Sequence, residues 1–116
     1  MIDPESVREI VRMYEKHGWV PRRFLLTKDL AAKVDSLKSP LAMDVPIHPS
    51  DIDAAWFSRP PRAGGIPWEL RYLGEPPFAL LENIDEDEAD FGESLKAVER
   101  RLKDAVAGKK QGLTSH

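Results

Sequence analysis

The fold of this chain turns on one stretch, WFSRPPRAGGIPWELRYLG, which covers residues 56–74. Two runs rich in aromatic and aliphatic residues, 53–59 and 67–73, stand on either side of a turn that is rich in proline and glycine. A third such run, 77–84, follows a second short turn that contains two prolines. Extended runs separated by short turns are typical of a β-meander, so the sequence predicts three antiparallel strands between residues 53 and 84.

The register of the first hairpin is suggested by a repeated spacing, in which a tryptophan is followed three residues later by an arginine. The two pairs are Trp56 with Arg59 and Trp68 with Arg71. If Arg59 lies opposite Trp68, then Trp56 lies opposite Arg71, and both pairs are direct cross-strand neighbours. Each pair would form a cation–π contact worth about 0.5–1 kcal/mol when exposed, so the repeat is interpreted as a lock on the register.

This register sorts the hairpin side chains into two faces, because successive side chains of a strand point to opposite sides. The more apolar face is assigned to the core and comprises Phe57, Arg59, Trp68, Leu70 and Tyr72. The other face is expected to point outward and comprises Trp56, Ser58, Glu69, Arg71 and Leu73. The sequence therefore places an indole beside an arginine on the outer face. Two interpretations of Trp56 stay open: it is exposed and binds a partner, or it is covered by the first helix or by the loop at residues 40–50.

Two helices are predicted before the meander. Asp3 is a good N-cap and Pro4 suits the first helical position, so a helix is expected over about residues 4–17. Gly18 suits the position just after a helix end, where the backbone adopts a positive φ. Thr27 caps a second, shorter helix over TKDLAAKVDSL, residues 27–37, which Ser39-Pro40 would end.

Extended or irregular structure is predicted around the second helix. The segment VPRRFLL, residues 20–26, has strand character, and Pro21 confines it to a sheet edge or a strand start because proline has no backbone N–H. Residues 40–50 contain three prolines and predict a loop with a short strand near Val45.

The last predicted element is a long helix from about residue 91 to 107, which Gly108 would end. Residues 109–116 are expected to be a frayed tail, which leaves residues 1–108 as a single domain. Grouped strands flanked by helices are typical of the α+β class. We therefore expect a three-stranded antiparallel meander, with residues 20–26 as a candidate fourth edge strand and all three helices packed on one face.

The composition of the chain excludes several classes of site and of partner. The chain has 116 residues, a net charge of −3 and no cysteine, so disulfides, thiol nucleophiles and thiolate metal sites are excluded. Proteins that bind nucleic acids usually carry an excess of basic residues, whereas this chain has a negative net charge, so no nucleic-acid partner is expected. No apolar run is long enough to cross a membrane and the polar N-terminus lacks a signal-peptide pattern, so a soluble cytoplasmic protein is expected.

Recognisable motifs for catalysis or metal binding are missing from the sequence. His48, Asp51 and Asp53 lie close together, but their spacing matches no firm metal motif. The acidic run at residues 85–90 has Ala89 where a calcium loop needs a ligand and no glycine at the next position. No catalytic residue, metal or cofactor is therefore expected, and a non-catalytic role is favoured.

The function that the sequence favours is binding to another macromolecule. An exposed tryptophan beside an arginine is the composition that recurs at the centres of protein interfaces. The predicted contact surface is the outer face of the meander together with its 60–67 loop. Its residues are Trp56, Arg62, Glu69, Arg71 and Leu73.

Two alternatives remain open at this point. One is a small-molecule or anion-binding protein, or a small enzyme, that uses Arg59, Trp68 and Tyr72 in a pocket between sheet and helices. The other is self-association, in which the edge segment 20–26 pairs with its copy. The expected partner is thus an unidentified protein or a second copy of the chain, and neither a nucleic acid nor a membrane.

Overall fold

The computed structural model describes residues 2–37, 41 and 45–112, with side chains through residue 108. Its elements, in chain order, are α1 (Pro4–Lys16), β1 (Val20–Leu26), α2 (Lys28–Asp35), β2 (Ile47–Pro49), β3 (Ala54–Ser58), β4 (Pro67–Tyr72), β5 (Phe78–Asn83) and α3 (Phe91–Gly112).

The strands form one five-stranded mixed sheet with the order β2-β1-β3-β4-β5. The pair β1–β2 is parallel, and the other three pairs are antiparallel. The predicted α+β class is confirmed, and the three strands of the predicted meander are present as β3, β4 and β5. The candidate fourth strand is present as β1, which pairs with β3, and β2 adds a fifth strand that the predicted sheet did not include.

Helices cover both faces of the sheet. The helices α1 and α2 pack on β1 from one side, whereas α3 packs on β4 and β5 from the other. The prediction that all three helices share one face is therefore wrong. The physical reason lies in β3, which is buried at all five positions and so presents apolar side chains to both faces.

Two hydrophobic cores result, one on each face. The core under α3 contains Leu25, Ala54, Trp56, Trp68, Leu70, Tyr72, Ile84, Leu95, Val98, Leu102 and Val106. The core under α1 and α2 contains Val7, Val11, Phe24, Leu26, Leu30, Val34, Leu41, Ala55, Phe57 and Leu73.

Helix α1 begins and ends as its local sequence predicts. The backbone N–H of Ser6 donates to Oδ1 of the N-cap Asp3 at 2.8 Å, and Pro4 is in the first turn. At the other end Gly18 has φ +87°, and the N–H of Trp19 donates to the carbonyl of Tyr14 at 3.0 Å. This is a Schellman ending, which brings the Trp19 ring edge-on to the Tyr14 ring at 6.1 Å.

Strand β1 is an inner strand along part of its length. Phe24–Leu26 pair with β2 on one side, while the strand pairs with β3 on the other side. The prediction that residues 20–26 form the sheet edge is therefore wrong for Phe24–Leu26. Pro21 lies in the part of β1 that β2 does not reach, where its missing N–H leaves no gap in a ladder.

The other helix predictions differ at their ends. Thr27 caps α2 as predicted, with its Oγ1 accepting from the N–H of Leu30 at 3.4 Å. Helix α2 ends at Asp35, with Ser36 as its C-cap, which is earlier than predicted; the predicted stop at Ser39-Pro40 lies outside the described residues. Helix α3 continues past Gly108 to Gly112, so the predicted end is wrong; an interior glycine costs a helix only about 1 kcal/mol. None of the described helices has the length and apolar content needed to span a lipid bilayer.

Candidate functional site

The register of the first hairpin differs by one residue from the predicted one. Trp68 lies opposite Ser58 instead of Arg59, and Trp56 lies opposite Leu70 instead of Arg71. The two tryptophan–arginine pairs therefore do not form across the strands. A one-residue slip moves a strand's entire set of side chains to the other face of the sheet.

The cause of the slip lies at the tip of the hairpin. Arg62 and Gly65 form an isolated bridge around a tight turn and exchange hydrogen bonds of 2.8 and 2.9 Å, in the register that the sequence predicted. Between the Arg62–Gly65 bridge and the Ser58–Trp68 pair, the three residues 59–61 lie opposite residues 66 and 67. The first side of the hairpin therefore has one residue more than the second. Two of the three are prolines, which cannot donate to a ladder, so the extra residue is absorbed there.

Trp56 is consequently buried beneath α3 and is not an outer-face residue. Its side chain is 0 % exposed, and its indole Nε1–H donates to Oε2 of Glu99 on α3 at 2.8 Å. Its ring meets that of Trp68 edge-on at 5.9 Å. The prediction of an exposed Trp56 is wrong, and this residue is part of the core.

The pocket that would hold Arg59, Trp68 and Tyr72 together is also not present among the described residues. Arg59 lies over the ring of Trp19, 5.2 Å from its centroid. Trp68 is buried next to α3, with Arg22 lying over its ring at 5.0 Å. Tyr72 lines the cavity at the start of α2.

The remaining predicted contact residues occupy different places. Leu73 is buried in the core under α1 and α2. Arg62 is exposed at the hairpin tip. Glu69 and Arg71 are half-buried on the side of the sheet that faces α1, two residues apart on β4. The structure thus brings together Glu69 and Arg71 and separates them from Trp56.

A polar cluster joins α1 to the sheet at Glu69. The hydroxyl of Tyr14 donates a short hydrogen bond to Oε2 of Glu69, and the Tyr14 ring stacks on Phe57 at a centroid distance of 4.0 Å. Burial raises the pKa of Tyr14 well above its usual value, and the bond to the Glu69 carboxylate acts in the same direction. The guanidinium of Arg71 donates to the carbonyl of Tyr72. Tyr14 is therefore a neutral donor that fixes the helix against β4.

At β5, no described helix or strand covers this side of the sheet. Leu81 is 63 % exposed on β5 and lies directly opposite Glu69, while Ala79 is exposed opposite Arg71. On the helix, Met13 is 60 % exposed and lines a cavity together with Arg71. We call this surface the open face; it comprises Met13, Tyr14, Glu69, Arg71, Ala79 and Leu81.

A groove continues from the open face along the turn after β4. One cavity of about 330 Å³ lies between Met13, Tyr14 and Arg71. A second cavity of about 800 Å³ lies at the start of α2, and the two share Ile2 and residues 73–75 as lining. The charged residues that line the larger cavity are mostly acidic: Asp29, Asp53 and Glu75, with Lys33 as a basic residue.

Sequence reasoning missed Met13 and Leu81, although both left a signal. Met13 falls just outside the apolar stripe of α1, which Val7, Val11 and Tyr14 follow. Leu80 and Leu81 are adjacent on a strand, so one of them must face away from the core that holds the other. Two neighbouring leucines on β5 therefore indicated an exposed apolar residue on the face opposite α3.

The structure gives no sign of a metal centre in the residues that it describes, where no group of three or more candidate ligand side chains comes together. No protein-family model, no curated protein and no solved structure matches the chain. Function must therefore be argued from the surface of the molecule.

Proposed function

We propose that the protein is a non-catalytic interaction module and that the open face is its contact surface. The observation that carries the proposal is the exposure of two large apolar side chains, Leu81 and Met13, on one side of the sheet. Between them lie Glu69 and Arg71, which were already expected to contact a partner.

The open face has the composition of a binding surface. Its centre holds an ion of each sign and an aromatic ring, and its borders are apolar. The Tyr14–Glu69 hydrogen bond holds two of these side chains in place before binding, which lowers the entropy lost on association. Arginine, methionine and aromatic residues are enriched at protein interfaces.

The partner that fits this surface is a protein segment that inserts apolar side chains between α1 and β5. Burying Leu81 fully would contribute about 1.5–3 kcal/mol to binding. The exposed side of α1 adds charges of both signs, Glu9, Arg12 and Lys16, around Met13. A partner with both signs of charge at its rim would be oriented by them.

The test is recovery of partners by the tagged protein from a lysate of its native host. We expect a double variant, Met13→Glu with Leu81→Glu, to reduce recovery of specific partners at least about tenfold, because each change places a charge in an apolar contact. Folding of each variant is checked by circular dichroism.

A matched control is available in Val20, which is 51 % exposed at the start of β1 and is not part of the open face. Val20→Glu should leave recovery unchanged. If the control and the double variant recover the same proteins at the same level as the wild type, the open face is not the contact surface.

A second candidate function is small-molecule binding in the cavity of about 800 Å³, whose volume falls within the range of ligand pockets. Tyr72 lines it, as one member of the predicted pocket, together with Asp53 and Thr27. The same two variants separate the candidates, since Met13 and Leu81 do not line this cavity and their replacement would leave a ligand bound there.

A further inference from the structure

The edges of the sheet differ in how well they are protected from further pairing. Strand β2 at one edge has three residues, Ile47–Pro49, and its last residue is a proline. Shortness and proline are two of the devices by which proteins blunt a sheet edge. Strand β5 at the other edge has six residues, FALLEN, with no proline and no lysine within it. It is the longer and less guarded edge.

The outward backbone groups of β5 can be identified from its pairing with β4. The N–H of Ile84 donates to the carbonyl of Ile66 at 3.0 Å, and bonded pairs recur at every second residue of an antiparallel ladder. The even-numbered residues of β5 are therefore bonded to β4. The odd-numbered residues Ala79, Leu81 and Asn83 direct their N–H and C=O groups away from the sheet, and within the described residues no strand pairs with them.

We propose that the protein forms a two-fold symmetric dimer in which β5 pairs antiparallel with β5 of a second copy, with the axis at Leu81. In this register Leu81 lies opposite itself, and Ala79 lies opposite Asn83 of the second copy. All three outward donors and all three outward acceptors of each strand are then satisfied. The two sheets join into one continuous sheet, and the partner is a second copy because the edge is complementary to itself.

The side chains are compatible with this register. Antiparallel pairing about an axis perpendicular to the sheet keeps α3 of both copies on one side and both open faces on the other. The two Leu81 side chains become direct neighbours on the open-face side, so each covers apolar surface of the other.

The charges of β5 do not oppose this register. Glu82 is the one charged residue of β5, and it is bonded to Arg101 of α3 at 2.9 Å. In the proposed pairing Glu82 lies opposite Leu80 of the second copy, so the two carboxylates do not face each other directly. They lie diagonally across the axis, and each is ion-paired with the Arg101 of its own chain.

This inference goes beyond the proposed function, because it uses the backbone edge of β5. Of the open face, the dimer covers part of Leu81 and leaves Met13, Glu69 and Arg71 available to a partner. The test is the mass of the protein in solution, measured by light scattering and sedimentation over a concentration series. The wild type should approach twice its chain mass of 13.1 kDa.

The decisive variant is Leu81→Pro, matched with Leu81→Ala. Proline removes the outward N–H that the dimer needs and leaves the bonds to β4 intact, because residue 81 does not bond to β4. We expect Leu81→Pro to weaken the dimer by at least about thirty-fold, since both symmetry-related bonds at the axis are lost. Leu81→Ala keeps the N–H and should dimerise with a smaller loss.

A measurement on the wild type keeps the test independent of whether the proline variant folds. Amide hydrogen exchange at Ala79, Leu81 and Asn83 should slow as the concentration rises, because these N–H groups become bonded only in the dimer. A wild type that remains at the chain mass at the millimolar concentrations of NMR, with fast exchange at these three amides, overturns the inference. That result would leave the proposed function standing, because loss of partner recovery by the double variant does not depend on dimerisation.

Discussion

The two tryptophans in the core under α3 differ in the hydrogen bonding of their indole N–H groups, and this difference predicts how much each contributes to stability. Both are almost fully buried, but the Nε1–H of Trp56 donates to the Glu99 carboxylate, whereas that of Trp68 has no acceptor among the described residues. Replacing either by phenylalanine removes a similar part of the indole and leaves a similar gap. The difference between the two variants therefore reports whether the indole N–H has an acceptor.

The magnitude follows from the two environments. A hydrogen bond to a charged acceptor contributes about 1.5–3 kcal/mol, whereas a buried donor without an acceptor already costs about 1–3 kcal/mol. Trp56→Phe removes the hydrogen bond to the Glu99 carboxylate, which destabilises the protein. Trp68→Phe removes a buried donor that has no acceptor within the described part of the chain, which offsets part of the loss in packing. Phenylalanine retains a ring face for Arg22, so the cation–π contact of Trp68 is only weakened. We expect Trp56→Phe to be the more destabilising by about 2 kcal/mol or more.

Urea unfolding followed by far-ultraviolet circular dichroism measures this difference, because that signal does not depend on tryptophan fluorescence. For a domain of this size, about 2 kcal/mol corresponds to a shift in Tm of roughly 8 °C. Glu99→Leu completes a double-mutant cycle, in which Trp56→Phe should cost less once the acceptor is gone. Equal losses for the two phenylalanine variants, or a larger loss for Trp68→Phe, would refute the reasoning.

Two further predictions concern the helices. One compares a glycine just after α1 with a glycine inside α3, and the other is the pH dependence of the N-cap of α1. Gly18→Ala should destabilise the protein by about 1–2 kcal/mol in urea unfolding, because Gly18 has φ +87°. Gly108→Ala, inside α3, should stabilise it by up to about 1 kcal/mol, because alanine has the higher helix propensity. Changes of the same sign in the two variants would contradict this prediction. The bond from the Ser6 N–H lowers the pKa of Asp3 below 3.8, so its stabilising effect is present above pH 3.8 and is lost as the pH falls through the lowered pKa. The urea midpoint of Asp3→Ala should therefore lie below that of the wild type at neutral pH and converge with it in acid, and a constant difference at all pH values would contradict this.

The elements that the sequence predicted well depend on interactions within a few residues of the chain. Asp3 and Thr27 cap their helices through N–H groups three residues away, and Gly18 ends α1 through bonds to the preceding turn. The three strands of the meander lie between turns whose prolines and glycines are visible in the sequence. Such features need no knowledge of the rest of the fold.

The burial of Trp56 could not be predicted from its neighbours in the sequence. The hairpin tip has the register that the repeated tryptophan–arginine spacing predicted, but the extra residue at Pro60–Pro61 shifts the strands by one position. Because side chains alternate, that single residue exchanges the two faces. The run AAWFS of β3 did carry a sign of burial on both sides, since it does not alternate between apolar and polar residues.

The sequence by itself determined the helices, most of the strands and the α+β class, because caps, turns and periodicity act over short separations. The tertiary structure alone decided which face each hairpin residue occupies, that α3 lies opposite α1 and α2, and which sheet edge stays open. These depend on pairing between segments far apart in the chain, above all on β1 pairing with β3, so that β3 lies between β1 and β4. The candidate site therefore moved from Trp56 to the surface between Met13 and Leu81, where burial by the helices stops.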